Sequence, residues 1–207
     1  MPVNVERRAL LAFGLLWLGG VRALAAPALD VIGLWSSVVR TRGGLGSQIE
    51  FTATEATSTF GALVDSKYEI SGSLLKLTSA EPGSQSPGMS QEFKIEGDKL
   101  TVTLADGSPQ VMTRVGTPHR DAHPIVGDWT FQHQTGVPAV QRFSSKGVMQ
   151  LSVPFQTHKG PYRLDGETMH IEFVGVPLIV LTVQREGNRL DTRDDKGKTI
   201  SFIKFEY

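Results

Sequence analysis

Residues 29–37 read LDVIGLWSS and residues 123–131 read HPIVGDWTF, so the chain contains one pattern twice. In each stretch, apolar residues lead into Gly-X-Trp, and the two tryptophans, Trp35 and Trp129, lie 94 positions apart. A displacement shared by matching residues indicates an internal repeat, which has to be recognised before a fold is assigned. The repeated pattern therefore sets how the rest of the sequence is interpreted.

Further landmarks repeat in the same order along the 207-residue chain. Gly33, Trp35, Tyr68 and Gly72 recur as Gly127, Trp129, Tyr162 and Gly166, and Gly97, Leu100 and Gly107 recur 90 positions on as Gly187, Leu190 and Gly197. The displacement falls from 94 to 90 positions between Gly72 and Gly97, where the first copy carries the loop 79–90. The sequence thus predicts an internal duplication, with one domain over 26–118, a second over 119–207, and a proline-containing linker at 115–124.

Each copy has the pattern of short strands joined by tight turns. Residues 92–107 and 162–173 are β-rich and are interrupted by pairs such as Asp106-Gly107 and Asp165-Gly166, which suit hairpin turns. This predicts an all-β fold of two tandem antiparallel meander barrels. The alternative is that the repeats pair edge to edge in one larger sheet system, although the linker prolines favour separate barrels.

The motifs resemble those of lipocalins, and each copy is similar to the short lipocalin-like domains of bacterial exported proteins. The resemblance rests on VIGLW (31–35) and IVGDW (125–129), with the tyrosines and glycines that follow, and it spans nearly all of the chain after the N-terminal segment. It implies that Trp35 and Trp129 each close one end of a barrel. It also implies that the last-strand cations Arg114 and Lys204 lie across the indoles. Each copy is shorter than a typical lipocalin, so a small cavity is expected.

Ligand contacts are predicted at Tyr68 and Tyr162, which begin strands and could direct hydroxyl groups into a cavity, and at His170, which alternates within a strand. The alternative for the tyrosines is cross-strand packing. For the histidine it is an ordinary surface or half-buried position. The predicted ligand is a small hydrophobic or amphipathic molecule.

No catalytic residue, metal site or cofactor is predicted. HRDAH (119–123) has a histidine spacing that would suit a metal pair on a helix, but the flanking prolines disfavour that helix. Gly43-Gly44-Leu45-Gly46 lacks the Lys-Ser/Thr of a phosphate loop. The sequence contains no cysteine and no serine in G-x-S-x-G.

Residues 1–25 are predicted to be a signal peptide. Arg7 and Arg8 precede the apolar run 9–21, and Ala23-Leu24-Ala25 forms an A-x-A cleavage site. The apolar run is shorter than the ~20 residues that span a membrane, and a buried helix is the alternative. We therefore expect an exported protein, periplasmic or secreted, without an integral membrane segment after cleavage.

The net charge and composition limit the classes of partner that the protein is expected to bind. Removing the signal leaves 18 basic and 20 acidic residues, which argues against nucleic-acid binding, since that function favours a basic face. Three functions remain. The first is a binding protein for a small apolar or amphipathic ligand, the second is a protein-interaction or structural envelope module, and the third is a small β-barrel isomerase or hydrolase.

Overall fold

The computed structural model describes residues 29–80 and 88–207, so the predicted signal peptide lies outside the described residues. Regular structure within these ranges is strand alone. The strands are β1 (Gly33–Ser37), β2 (Leu45–Phe51), β3 (Glu55–Ser71), β4 (Leu74–Ser79), β5 (Met89–Glu96), β6 (Lys99–Thr103), β7 (Pro109–Val115), β8 (Gly127–Gln132), β9 (Pro138–Phe143), β10 (Val148–Asp165), β11 (Thr168–Ile171), β12 (Ile179–Glu186), β13 (Arg189–Arg193) and β14 (Thr199–Lys204).

The fourteen strands form one ring-like sheet. Each strand pairs antiparallel with its neighbours in sequence, and β1 pairs with β14, which closes the ring. Most hairpins turn at glycines, as the sequence indicates; Gly166, for example, has a φ of +62° between β10 and β11. The prediction of an all-β antiparallel fold is confirmed.

Strands β3 and β10 are much longer than the others and also pair with each other, from Glu55 opposite Pro161 to Lys67 opposite Val148. This central ribbon divides the ring into two closed circuits of eight strands each. We call the circuit of β1, β2, β11–β14 and the adjoining halves of the ribbon the terminal lobe. The circuit of β4–β9 and the other halves of the ribbon is the middle lobe.

Each lobe encloses its own hydrophobic core. The terminal-lobe core contains Val31, Trp35, Ile49, Phe51, Ala56, Met169, Ile171, Phe173, Val183, Leu190 and Phe202. The middle-lobe core contains Leu75, Leu77, Leu100, Val102, Met112, Ile125, Val126, Trp129, Phe143 and Met149. Both cores take residues from each side of the predicted domain boundary at 118/119. Strands from both sides of that boundary thus enclose each interior.

The backbones of the central ribbon approach each other closely at Gly61. A Cβ atom there would lie 2.2 Å from the carbonyl oxygen of Val153, which leaves room for glycine only. Beside this point the register shifts between Pro154 and Gln156, which marks a β-bulge. The ribbon therefore bends where it passes from one lobe to the other.

A buried polar layer joins the outer faces of the two lobes beside the ribbon. Gln48 of β2 donates from Nε2 to Gln150 Oε1 on β10 at 2.5 Å and to Ser36 Oγ at 3.0 Å. Gln150 in turn donates to Asp65 Oδ1 at 2.8 Å, and Asp65 is paired with Arg40 at 2.8 Å. Because buried polar groups need partners, this chain of hydrogen bonds holds the two lobes in one arrangement.

Candidate functional site

The middle lobe is closed at one end by Trp129. The side chain is fully buried, and its Nε1 donates to the carbonyl oxygen of Ile125 at 2.7 Å. The guanidinium carbon of Arg114 lies 4.0 Å from the ring centroid, within the range of a cation–π contact. Arg114 also donates to the carbonyl oxygens of Val126, at 3.1 Å, and of Pro124. This end of the lobe is therefore sealed by the indole and the cation above it.

Trp35 makes the corresponding contacts in the terminal lobe. Its Nε1 donates to Val31 O at 2.7 Å, and Lys204 Nζ lies 5.4 Å from the ring centroid. A second cation, Arg185, lies 5.6 Å from the same ring. Each predicted last-strand cation thus contacts the tryptophan on the other side of the predicted 118/119 boundary, since Arg114 lies against Trp129 and Lys204 against Trp35.

The glycine of Gly-X-Trp has a conformational role in both lobes. Gly33 has a φ of +120° and Gly127 a φ of +127°, which side-chain-bearing residues rarely adopt. The turn places each indole N–H against the carbonyl four residues earlier in the chain. The motif therefore positions the side chain that closes the lobe.

Away from Trp129, the interior of the middle lobe opens to solvent. Near the closed end the inward side chains Leu75 and Leu100 are fully buried. At the other end, inward positions such as Phe131, Leu151 and Gln141 are only partly buried, although they belong to the same barrel face. The lobe is thus filled at one end and hollow at the other.

This hollow, which we call the calyx, has a volume of about 960 Å³. Its wall contains the apolar side chains of Leu77, Phe131, Met149 and Leu151. Cavities of roughly 300–1,000 Å³ with mainly apolar walls are typical of small-molecule sites. The calyx has the size and lining of a ligand site.

Five glutamines line the calyx, and three of them, Gln91, Gln110 and Gln141, add inward-facing amide groups to its wall. Gln91 pairs across the sheet with Leu75, Gln110 with Val102, and Gln141 with Trp129, so all three lie on the inward face. In the described part of the chain none of these amides has a hydrogen-bond partner. Each offers two donors and an acceptor without net charge. The calyx can therefore orient the polar end of an otherwise apolar molecule.

The tyrosines predicted as ligand contacts lie elsewhere. Tyr68 donates to Ser144 O at 2.6 Å, and its ring meets Phe143 edge-on with centroids 5.2 Å apart. Tyr162 donates to Thr52 O at 2.8 Å. Burial raises the pKa of both phenols, with a smaller contribution from Asp30 at Tyr162. Neither lines the calyx, and their role in ligand binding stays a prediction.

His170 also lies outside the calyx wall. It is on β11 opposite Arg163, and its Nε2 is 3.8 Å from Asp165 Oδ2. Among residues 29–80 and 88–207, no three His, Cys, Asp or Glu side chains are grouped so that they could hold a metal ion. The ionisable side chains of the calyx wall are Asp65, which is paired with Arg40 at 2.8 Å, and His133.

Sequence reasoning missed the three glutamines. Their signal is weak, because a glutamine at an inward strand position is ordinary unless the barrel is known to be hollow there. Gln91 and Gln110 follow the alternation of β5 and β7. That alternation assigns them to the inward face but does not reveal an open interior.

Replacing Tyr68 with phenylalanine tests whether its hydroxyl group stabilises the fold. The change removes the hydroxyl that donates to Ser144 O, and we expect a loss of about 1 kcal/mol in the free energy of unfolding. Urea unfolding followed by circular dichroism measures this loss. Leu178→Ala, at an exposed position in the segment before β12, is the control. An unchanged stability in Tyr68→Phe would contradict the structural role.

Comparison of the chain with family models, with curated proteins and with solved structures finds no match. In the part of the chain that the structure describes, no helix has the length and apolar character needed to cross a membrane.

Proposed function

We propose that this is an exported, lipocalin-like binding protein whose middle lobe takes up a small apolar or amphipathic molecule. The observation that carries the proposal is the calyx, sealed by Trp129 at one end and open at the other. Its apolar wall favours the body of such a ligand through burial, at about 25 cal/mol per Å² of apolar surface. Its unpartnered glutamine amides favour a polar end group.

Internal duplication is part of this proposal. It is supported by the matching geometry of the two Gly-X-Trp motifs, whose indoles make the same hydrogen bond at the same 2.7 Å distance. It is also supported by Tyr68 and Tyr162, since both hydroxyl groups donate to carbonyls on the far side of the ribbon. We infer that the two copies exchange halves, so that each lobe contains the first strands of one copy and the last strands of the other.

Export is inferred from the sequence of residues 1–25. A binding protein outside the cytoplasm would act as a carrier or scavenger, and it needs no catalytic group. The fold suits that role, because closed circuits remove the unpaired strand edges that would otherwise invite aggregation.

Titration with the fluorescent apolar probe N-phenyl-1-naphthylamine tests the proposal. We expect saturable binding to the unmodified protein. Leu151→Asp places a carboxylate in the apolar wall, and it should raise the Kd at least about tenfold, because the probe cannot compensate for the lost hydration of that charge. Native mass spectrometry of the gently purified protein would also detect a ligand carried through purification.

Leu178→Asp is the matched control, since it makes the same substitution at an exposed position outside the calyx wall. It should leave the Kd unchanged. Met89→Asp changes a more exposed wall residue and serves if Leu151→Asp fails to fold. Absence of saturable binding, or equal Kd values for wall and control variants, would refute the proposed function.

A further inference from the structure

A second cavity, of about 850 Å³, lies between the lobes. We call it the crevice. It is bounded by the end of β1 with the loop 38–44, by the turn between β9 and β10, and by residues 203–206. It meets the calyx at Val64, Asp65 and Ser79 and otherwise has different walls. The crevice is therefore a separate cavity on the outer faces of the lobes.

Basic groups outnumber acidic groups around the crevice. Its charged side chains are the cations Arg40, Arg42, Lys146 and Lys204 and the carboxylates Asp65 and Glu206. Two cations are neutralised locally, because Arg40 pairs with Asp65 at 2.8 Å and Lys146 pairs with Glu206. Within the described ranges Arg42 forms no salt bridge, whereas Lys204 lies over the Trp35 ring and interacts electrostatically with Asp30 and Glu206. The crevice thus carries a surplus of positive charge.

Buried serine hydroxyls line the same crevice. Ser37 Oγ accepts a hydrogen bond from Ser47 N at 3.0 Å, and Ser144 Oγ accepts from Lys146 N at 3.2 Å and from Val148 N at 3.1 Å. Both serines are at most 4% exposed. Since these oxygens act as acceptors for backbone N–H groups, each hydroxyl hydrogen can still be donated to a group in the crevice.

The remaining wall is apolar enough for an organic body. Val38, Val148, Ile203 and Phe205 line the crevice beside the polar groups. A cavity of this volume is much larger than an inorganic ion, and it falls in the range of sites for small organic molecules. Donor hydroxyls and an unpaired guanidinium favour a ligand that presents anionic oxygens, which arginine binds in a bidentate manner.

We propose that the crevice is a second binding site, which takes up a small organic anion bearing a phosphate or carboxylate group. Arg42 binds the anionic group, and the hydroxyls of Ser37 and Ser144 donate to oxygens of the ligand. Because Ser36 and Gln150 of the buried polar layer also line the crevice, the ligand would contact both lobes. This site is independent of the function proposed for the calyx.

Isothermal titration calorimetry with three probes tests the site: glucose 6-phosphate, gluconate and uncharged glucose. The experiment uses the full protein as it is purified, after any processing by the producing cell. We expect saturable binding of at least one anion and none of glucose, and the two anions distinguish a phosphate from a carboxylate preference. Binding should weaken as salt rises, because salt screens the exposed Arg42.

Arg42→Ala is the diagnostic variant, and its exposed loop position makes misfolding a minor concern. It should raise the Kd about tenfold, as expected for loss of a charged hydrogen bond, and Arg42→Lys should recover part of the affinity. The control, Arg120→Ala, removes an exposed arginine outside the crevice. Failure of both anions to bind, equal binding of glucose, or equal effects of Arg42→Ala and Arg120→Ala would overturn the proposal.

The probes also separate this proposal from the function of the calyx. Saturating N-phenyl-1-naphthylamine should leave the anion Kd unchanged, and Leu151→Asp should do the same, because that side chain lines the calyx alone. Anion binding without probe binding would support the crevice and refute the calyx. Probe binding without anion binding would do the reverse.

Discussion

Replacing Trp129 with alanine is expected to lower the free energy of unfolding by about 3–5 kcal/mol. The indole is fully buried in the middle-lobe core, so its removal leaves a cavity that surrounding strands cannot fill. The carbonyl of Ile125 loses its 2.7 Å donor, and the Arg114 guanidinium loses the ring face on which it rests. The loss of apolar contacts and the exposure of a buried cation both lower the free energy of unfolding.

Equilibrium urea unfolding, followed by circular dichroism at a wavelength for β-structure, measures the change. Trp129→Phe keeps an aromatic side chain but removes the N–H donor, so it should cost clearly less than the alanine variant. Leu178→Ala, at a side chain 56% exposed, should be near neutral. A loss below about 1 kcal/mol in Trp129→Ala would contradict the role of this residue as the closing side chain of the lobe.

Loss of Trp129 should also weaken ligand binding in the calyx. The indole packs in the core at the closed end, and Trp129 pairs across β8 and β9 with Gln141 of the calyx wall, so its removal leaves a void beside the cavity. We expect weaker binding of N-phenyl-1-naphthylamine than in Trp129→Phe, which retains an aromatic ring at that place. The comparison links the fold-defining motif to the site that it encloses.

Much of the local structure could be predicted from the sequence. Alternation along β5, β6 and β7 and the glycines between them determine strands and turns, because these preferences act within a few residues. The Gly-X-Trp pattern marks the start of β1 and of β8, where glycine supplies the positive φ that the turn requires. Local sequence was therefore sufficient for the all-β antiparallel class.

The pairing of distant strands could not be predicted in the same way. The regions before and after the 118/119 boundary carry similar sequence patterns, so the sequence allows β1 to pair with either β7 or β14, and strand propensity does not distinguish the two pairings. In the structure Trp35 pairs with Lys204 and Trp129 with Arg114. That choice depends on the β3–β10 ribbon, which forms over long sequence separations. The calyx and the crevice depend on the same pairing of distant strands, so they could not be predicted from the sequence either.

Residues 26–118 and 119–207, produced separately, are expected not to fold as monomers. The first fragment lacks β14, which pairs with β1, and it lacks β10, which pairs with β3 over the longest ladder in the sheet. The second fragment lacks β1 and β3, which are the partners of β14 and β10. Each fragment also holds only part of each hydrophobic core. Without the missing strands, long edges and apolar faces would be exposed to water.

Circular dichroism and size-exclusion chromatography of each fragment measure this outcome, and mixing the two should restore the β-sheet spectrum and a cooperative unfolding transition. The matched control is the intact chain cleaved within residues 117–122 after folding, where the backbone is outside the strands and each residue is at least partly exposed. Because every strand pair survives that cut, the nicked protein should stay folded. Cooperative unfolding of monomeric 26–118 alone would instead indicate two independently closing barrels, since only a domain that contains all its own strands can fold without its neighbour.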